Sequence, residues 1–308
     1  MNPPPASPAS RPGLVNALSF DVEDYFQVQA FAASVPRSSW ESFSPRVEAN
    51  TGRLLDLLAE RRVRATFFVL GWVARHHPAV VRRIAAAGHE VASHGMDHTL
   101  VYTQTPEKFR EETRACRSLL EDLVQAPVIG YRAATFSITS ASLWALGILA
   151  DEGFRYDSSV FPVHHDRYGM PHTPRFPYTV LLDGGLRLTE FPMSTVDAFG
   201  LRLPVAGGGY FRLLPFVLTR LALKRVNRRD GRPFVFYLHP WEIDPGQPRI
   251  RTPNPLGSVR HRLCLKRTEP RLRSLLGQFA FAPISDVLAA HPPAEELSLQ
   301  AMAGRGRG

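Results

Sequence analysis

Hydrophobic positions along the chain follow two periods, the short apolar runs of buried strands and the three-to-four-residue spacing of amphipathic helices. The fully apolar run at 65–70 is typical of a strand buried on both faces, whereas Val47, Leu54 and Leu58 share one face of a helix. Strands are predicted at 14–20, 65–70, 90–93, 128–132, 156–158, 188–193, 234–238 and 281–284. Helices are predicted from about 45, over 77–87, from 105, over 140–152, 214–228 and 270–279, and from 285.

This alternation predicts an α/β fold, a distorted (β/α) barrel of about seven strands. Polar side chains follow the carboxyl end of one predicted strand after another, and that end carries the active site in (β/α) barrels. We therefore expect these side chains to converge on one barrel mouth. The residues concerned are Asp21, Glu23, His94, Arg132, Asp157 and His239.

Length and composition suit one domain, since 308 residues with 44% hydrophobic content can form a single large core. We assign residues 14–290 to the barrel. Residues 1–13, which are rich in Pro, Ala and Ser, are predicted to form a disordered leader. Residues 291–308 are predicted to form a disordered tail.

Two features of the sequence bear on location. No apolar run reaches the roughly 18 residues that a membrane span needs, and the first residues lack the charged and apolar segments of a secretory signal. The expected location is the cytoplasm, with peripheral attachment to a membrane as the alternative.

The formal net charge of +9 indicates which classes of binding partner to consider. Basic residues cluster at 224–229 and again over 249–273. No aromatic-interleaved or recognition-helix pattern accompanies them, so a solvated face, an anionic polymer or a membrane surface is favoured over nucleic acid.

Candidate chemistry lies at the ends of three predicted strands. His94 and His98 are four residues apart after the strand at 90–93, and the acids Asp21, Glu23 and Asp24 follow the strand at 14–20. Imidazole and carboxylate are the ligands of hydrolytic divalent metal sites. Taken alone, each motif has an ordinary alternative, either two solvent-exposed loop histidines or a solvated acidic loop.

Five ordered motifs resemble those of NodB-type polysaccharide deacetylases, carbohydrate esterase family 4. They are FDVED at 20–24, the His94/His98 pair, GYR at 130–132, YDS at 156–158 and LHP at 238–240. The segments DVEDYFQV, YDSSVFP and YLHPWEIDPGQPR are similar to the subfamily found in exopolysaccharide loci with the PEP-CTERM/exosortase system. The resemblance runs from about Asn16 to Leu288, and the part from about residue 200 matches the subfamily.

The resemblance implies a metal site beside a general base. Asp21 matches the base, and His94 and His98 match metal ligands. The third ligand in the common family pattern directly follows the base, but Val22 stands there, so the resemblance favours Glu23 and leaves Asp24 as the alternative.

The resemblance also implies the remaining roles. Arg132 matches the arginine that keeps the base ionised, and His239 the general acid, with Asp157 as its orienting carboxylate. Asp157 is therefore expected within hydrogen-bond reach of His239 or Arg132. The substrate side is expected to include the backbone N–H of Thr135, although Ala134 replaces a usual proline beside it. An apolar wall at Leu238 is expected, and Trp241 either lines a sugar subsite or packs at the rim.

The function implied is hydrolysis of N-acetyl groups from amino sugars of a polysaccharide or a lipid-linked oligosaccharide, in exopolysaccharide biosynthesis. Zn²⁺ suits two imidazoles and one carboxylate best, and Co²⁺, Ni²⁺ or Mn²⁺ would accept the same ligands. The alternatives are an amidohydrolase acting on small cyclic amides or imides, and a barrel that binds polysaccharide without turnover.

Overall fold

The computed structural model describes residues 14–165, 167–198, 200–252 and 255–304. The predicted leader at 1–13 lies outside the described residues. In the described part, strands and helices alternate along the chain as the sequence predicts.

A twisted, mostly parallel sheet forms the centre of the fold. The strands of the described residues, in chain order, are β1 (Val15–Val22), β2 (Thr66–Val69), β3 (Glu90–Ser93), β4 (Gly130–Tyr131), β5 (Tyr156–Asp157), β6 (Tyr178–Leu181), β7 (Arg187–Glu190), β8 (Thr195–Ala198), β9 (Leu201–Pro204), β10 (Val235–Leu238), β11 (Ala280–Ala282) and β12 (Glu295–Ser298). Of these, β8 and β9 form a separate antiparallel pair, and the others form the central sheet. Seven strands run parallel in the order β10-β1-β2-β3-β4-β5-β7. This arrangement confirms the prediction of an α/β fold with about seven barrel strands.

Helices connect these strands and pack around the sheet. They are α1 (Val47–Arg61), α2 (Gly71–His76), α3 (Pro78–Ala86), α4 (Pro106–Val124), α5 (Trp144–Asp151), α6 (Gly208–Leu213), α7 (Phe216–Arg225), α8 (Pro255–Arg262), α9 (Leu265–Leu276), α10 (Ile284–Ala290) and α11 (Leu299–Gly304). The face predicted for α1 is buried, since Leu54 and Leu58 are inaccessible to solvent. β2 is buried at all four positions, as its unbroken apolar run predicted.

The C-terminal segment differs from its prediction. Residues 295–304 of the expected disordered tail form β12 and α11, and β12 pairs in parallel with β6. The prediction failed because β12 is polar except for Leu297, which is buried. One buried leucine is too little to produce a recognisable pattern, and the strand is stabilised by its pairing with β6.

None of the helices in the described ranges combines the length and the hydropathy that crossing a membrane requires.

Candidate active site

The carboxyl ends of β1, β3, β4 and β10 meet around a cavity of about 170 Å³. Each of these strands ends next to a polar side chain that the sequence singled out, because parallel strands present their carboxyl ends on one side. The cavity is lined by Asp21, Glu23, Val28, Gln29, His94, His98, Thr135, Phe136, Tyr168, Tyr237, His239 and Trp241.

Three buried side chains bring one potential ligand atom each to a common point. The ligand atoms of Glu23, His94 and His98 all lie within 4.8 Å of one another, which is close enough to share one cation. Nδ1 of His94 is 2.9 Å from the backbone oxygen of Arg132. Because a carbonyl oxygen only accepts, Nδ1 carries the proton and Nε2 keeps its lone pair for a ligand.

The electrostatics of these three residues suit a cation. Burial lowers the pKa of His94 to about 4, although nearby Asp21 opposes this shift, and the ring is therefore neutral at pH 7. Burial works against ionisation of Glu23, but His98, His239 and His94 outweigh it and lower its pKa to about 2. Oε2 of Glu23 is buried without a hydrogen-bond partner in the described structure, although Nε2 of His98 lies only 2.9 Å away. An unpartnered carboxylate oxygen beside two imidazoles is the donor set that a divalent cation would satisfy.

A fixed turn after β3 holds the two histidines in place. Gly95 and His98 adopt left-handed backbone conformations with φ of 76° and 55°. The N–H groups of Gly71 and Trp72, at the start of α2, donate to the carbonyls of Gly95 and Met96. The turn is thus anchored to the first residues of a helix, and His98 folds back toward His94.

Asp24 does not belong to this group. One of its oxygens accepts from the backbone N–H of Arg46 at 2.6 Å and of Val47 at 2.9 Å, and the other accepts from the N–H of Tyr25. These bonds satisfy backbone donors at the start of α1. The alternative that Asp24 is a metal ligand is therefore wrong, because its carboxylate is turned toward the helix.

Asp21 is held by a fully buried arginine. Nη1 of Arg132 donates to Oδ1 of Asp21 at 2.7 Å and to Oγ of Ser19 at 2.8 Å. The guanidinium also bonds Ser158 and stacks on the ring of Phe68, 4.1 Å from its centroid. Oδ2 of Asp21 is left facing the cavity, 3.9 Å from Nε2 of His239.

His239 lies opposite Asp21, with a carboxylate on the far side of its ring. Nδ1 of His239 is 2.6 Å from Oε1 of Glu242, and Nε2 is 3.6 Å from Oε1 of Glu23. Burial opposes the charged ring, but Glu242, Glu23 and Asp21 outweigh it and raise the pKa of His239 to about 9. Arg212 donates to the other oxygen of Glu242 at 2.6 Å and helps keep its pKa low against burial. His239 is therefore protonated at neutral pH in this arrangement.

Asp157 is not the orienting carboxylate of His239. It accepts from Oγ of Ser159 at 2.6 Å and shares a buried site with Glu190, and among the described contacts it reaches neither His239 nor Arg132. Burial raises the pKa of Asp157 and raises that of Glu190 well above its ordinary value. Ser159 in turn accepts from the N–H of Ala133, so Asp157 supports the loop that carries Arg132.

Three residues are predicted to contact the substrate, and the structure places each of them differently. Thr135 lines the cavity, and its φ of 54° is a strained conformation for a β-branched residue, although its role as a donor stays a prediction. Leu238 is fully buried in the core and does not line the cavity; Tyr237, on the other face of β10, does. Trp241 is 5% exposed, stacks between His239 and His261, and donates from Nε1 to Glu23. Trp241 is thus tightly packed, yet it lines the cavity, and its role in a sugar subsite stays a prediction.

Sequence reasoning missed the role of Glu242 and Arg212. Glu242 was visible in the sequence, three residues after His239, in a spacing that brings both side chains to one turn of helix. Arg212 carried no sequence signal, because it reaches Glu242 from α6, thirty positions earlier.

Comparisons with known proteins match separate parts of the chain. A family model described as polysaccharide deacetylase matches residues 37–150, and one described as domain of unknown function (DUF3473) matches residues 158–289. A segment of 48 residues is 62% identical to the chitooligosaccharide deacetylase of Rhizobium leguminosarum bv. trifolii. Residues 37–150 of the chain are thus similar to polysaccharide deacetylases. The 48-residue segment covers 16% of this chain, and the alignments span only 22% to 33% of the length of the first curated relatives.

Two solved structures show the same fold as this chain. The structure of a putative polysaccharide deacetylase from Mycobacterium smegmatis aligns with a TM-score of 0.60 at 21% identity, over 96% of this chain and 97% of the other. A Puue allantoinase aligns with a TM-score of 0.59 at 16% identity, over 92% and 96%. At such identities the likeness concerns the fold, and that fold serves more than one activity.

Proposed function

We propose that this protein is a metal-dependent deacetylase that hydrolyses the N-acetyl groups of amino sugars in a polysaccharide or its precursor. The observation that carries the proposal is the Glu23, His94 and His98 cluster, with Asp21 and His239 lining the same cavity at 3.9 Å between Oδ2 and Nε2. A base, an acid and a cation site within one small cavity are the parts that amide hydrolysis needs.

Glu23, His94 and His98 would hold the cation, and Zn²⁺ suits their donor set best, with Co²⁺, Ni²⁺ or Mn²⁺ also accepted. When bound, a divalent cation polarises the amide carbonyl and lowers the pKa of water. The neutral ring of His94 is consistent with this role, since its lone pair is free at Nε2.

Asp21 and His239 would move the protons. Asp21 accepts the proton of the attacking water at Oδ2, while Nη1 of Arg132 donates to Oδ1 and holds the carboxylate in place. His239 donates from Nε2 to the leaving nitrogen, because an amine leaves far more readily than an amide anion. Glu242 orients the ring from Nδ1, and Arg212 holds Glu242, so we assign both as positioning residues.

The substrate class follows from the relatives. Curated relatives are named chitooligosaccharide deacetylase and peptidoglycan-N-acetylglucosamine deacetylase, and both names describe polymers of N-acetylated amino sugars. The similarity of DVEDYFQV and YLHPWEIDPGQPR to the PEP-CTERM/exosortase subfamily supports a role in exopolysaccharide biosynthesis, with a lipid-linked oligosaccharide as one form of the substrate. Action in the cytoplasm stays a prediction from the sequence.

A second candidate is an amidohydrolase acting on small cyclic amides or imides. The volume of about 170 Å³ and the burial of Trp241 favour a small substrate, and an allantoinase shares the fold. The presence of Asp21, Arg132 and His239 together disfavours a barrel that only binds polysaccharide, since binding alone has no use for a paired base and acid.

Acetate release distinguishes the candidates. Purified protein is incubated with N-acetylglucosamine oligomers of increasing length, and separately with small cyclic amides, with and without a chelator. The proposal expects chelator-sensitive release of acetate from the oligomers and no ring opening of the cyclic amides. Ring opening without acetate release would favour the second candidate, and the absence of both reactions in metal-loaded protein would refute hydrolysis altogether.

A further inference from the structure

An apolar helix face is left exposed on one side of the fold. Eleven large hydrophobic side chains of the described residues are exposed, and seven of them lie between residues 201 and 221. Five belong to the end of α6 and to α7: Leu213, Leu214, Val217, Leu218 and Leu221. This concentration in one short segment is unusual for scattered surface hydrophobics and marks a contact surface.

An amphipathic helix on a protein surface ordinarily buries its apolar face, but α7 exposes most of its large apolar side chains. α7 buries Thr219 and Leu223 against the fold, while Val217, Leu218 and Leu221 are 50%, 55% and 55% exposed. Positions 217, 218 and 221 recur at the spacing of a single helix face, and exposed Leu214 lies just before the helix. The adjacent β8–β9 hairpin, which contacts α7, adds two further exposed leucines.

The same segment is rich in basic side chains, and these form no ion pairs among the described residues. Residues 213–232 hold six basic side chains and one acid, Asp230, which is engaged by Arg175 at 3.1 Å. In the described part of the chain, none of the six makes an ion pair; they are Arg220, Lys224, Arg225, Arg228, Arg229 and Arg232. The apolar face therefore continues into positive charge with no counter-charge of its own.

We propose that this apolar–basic surface, residues 213–232, docks on the surface of an anionic lipid bilayer. An interfacial helix combines an apolar face with Lys and Arg residues that meet lipid phosphates, which is the composition found here. A second copy of the chain is a poor partner for this surface. A two-fold interface would place these six basic side chains, which lack counter-charges, against the same six basic side chains of the other copy. Docking is independent of the proposed hydrolysis.

The docking surface adjoins the network of the site. Arg212, which holds Glu242, directly precedes Leu213, and it also donates to the backbone oxygens of His261 and Leu263. Leu263 is itself 43% exposed and belongs to the second basic cluster of the sequence, residues 249–273. Both basic clusters therefore lie on neighbouring elements.

Vesicle flotation tests the proposal with the full chain. We expect binding to phosphatidylcholine vesicles that contain phosphatidylglycerol, weak binding to pure phosphatidylcholine, and weaker binding to the anionic vesicles as salt rises. Leu218→Asp and the pair Arg228→Glu/Arg229→Glu should each lower the partition coefficient about tenfold or more. The matched controls Leu186→Asp and Arg61→Glu/Arg82→Glu, on other exposed surfaces, should bind like the wild type.

Any of three results would overturn the proposal. The first is that the wild type floats with neither kind of vesicle, and the second is that the control variants lose as much binding as the two test variants. The third is a dimer, seen in sedimentation, that Leu218→Asp dissociates, because a second copy would then cover this face. Acetate release measured on soluble oligomers should be the same for Leu218→Asp and the wild type, which separates a failure of docking from a failure of the proposed hydrolysis.

Discussion

At the scale of single residues, the charge on His239 depends on Glu242. Its carboxylate lies 2.6 Å from Nδ1 and is one of the groups that raise the pKa of His239 to about 9 against burial. A raised pKa means that the ring holds its proton up to about pH 9 and loses it as pH rises further. Activity that needs this proton should therefore fall on the alkaline side.

Replacing Glu242 by Gln should move that alkaline limb to lower pH. The substitution removes a negative charge next to the ring, so the pKa of His239 falls, and kcat at pH 8 should drop about tenfold to a hundredfold. Metal content should be unchanged, since Glu242 is not among the proposed ligands. A lower kcat with an unshifted pH profile would mean that Glu242 has only a structural role.

Asp24 provides a test of the ligand set. Asp24→Ala should lower the free energy of unfolding by about 2 kcal/mol, because two backbone N–H donors at the start of α1 and that of Tyr25 lose their acceptor. Asp24→Asn, which keeps one acceptor oxygen, should lose less. Metal content after purification should be equal in both variants and the wild type. Loss of metal in Asp24→Asn would return Asp24 to the ligand set.

The buried pair of Asp157 and Glu190 makes stability depend on pH. Burial raises the pKa of Glu190 well above its ordinary value, so the folded protein keeps a proton that the unfolded chain releases above about pH 4.5. Stability from this group is complete below that pH and is lost as pH rises, by up to about 1.4 kcal/mol per pH unit. Glu190→Gln cannot ionise, so it should match the wild type near pH 4.5 and exceed its unfolding free energy at pH 8. Parallel stability curves for the two proteins would contradict this.

Some site residues were predictable from the sequence and others were not. Asp21, His94 and His239 each lie at the end of a strand or directly after it, and they line the cavity together with His98. Arg132 directly follows β4 and bonds Asp21 from outside the cavity lining. Asp157 has the same position in the sequence, yet it bonds Ser159 and Glu190 below the cavity. Position along a strand therefore indicates which end of the sheet a side chain occupies, but not which neighbour it bonds.

At the scale of elements, prediction succeeded where an element carries its own hydrophobic pattern. β2, β3, β10 and α1 bury the residues that their periodicity indicated. β12 has one buried residue, Leu297, and α7 exposes Leu218 and Leu221 while burying Leu223, so neither follows its own pattern. Such elements are determined by a partner, β6 for β12 and, in our proposal, a bilayer for α7.

Deleting residues 295–308 tests the role of β12. We expect a lower thermal midpoint and greater aggregation, because β6 would become an exposed sheet edge. Deleting only residues 305–308 leaves β12 in place and is the matched control. Equal midpoints and equal solubility for the two truncations would mean that β12 contributes nothing to stability.

At the scale of the whole molecule, the site is assembled from segments that no single family model spans. The region that matches polysaccharide deacetylases supplies His94, His98 and Arg132, and the region that matches the domain of unknown function supplies His239 and its support. Asp21 and Glu23 precede both. In the proposed function, the general acid His239 would therefore come from the region that matches the domain of unknown function.

The central claim is that Asp21 acts as a base beside a cation held by Glu23, His94 and His98. Its most direct test measures acetate release from N-acetylglucosamine oligomers together with bound metal, in the wild type, Asp21→Asn and His94→Ala, with Asp122→Asn on the exposed face of α4 as control. We expect Asp21→Asn to keep its metal and lose nearly all turnover, His94→Ala to lose both, and the control to behave like the wild type. Near-normal acetate release by metal-loaded Asp21→Asn would contradict the account.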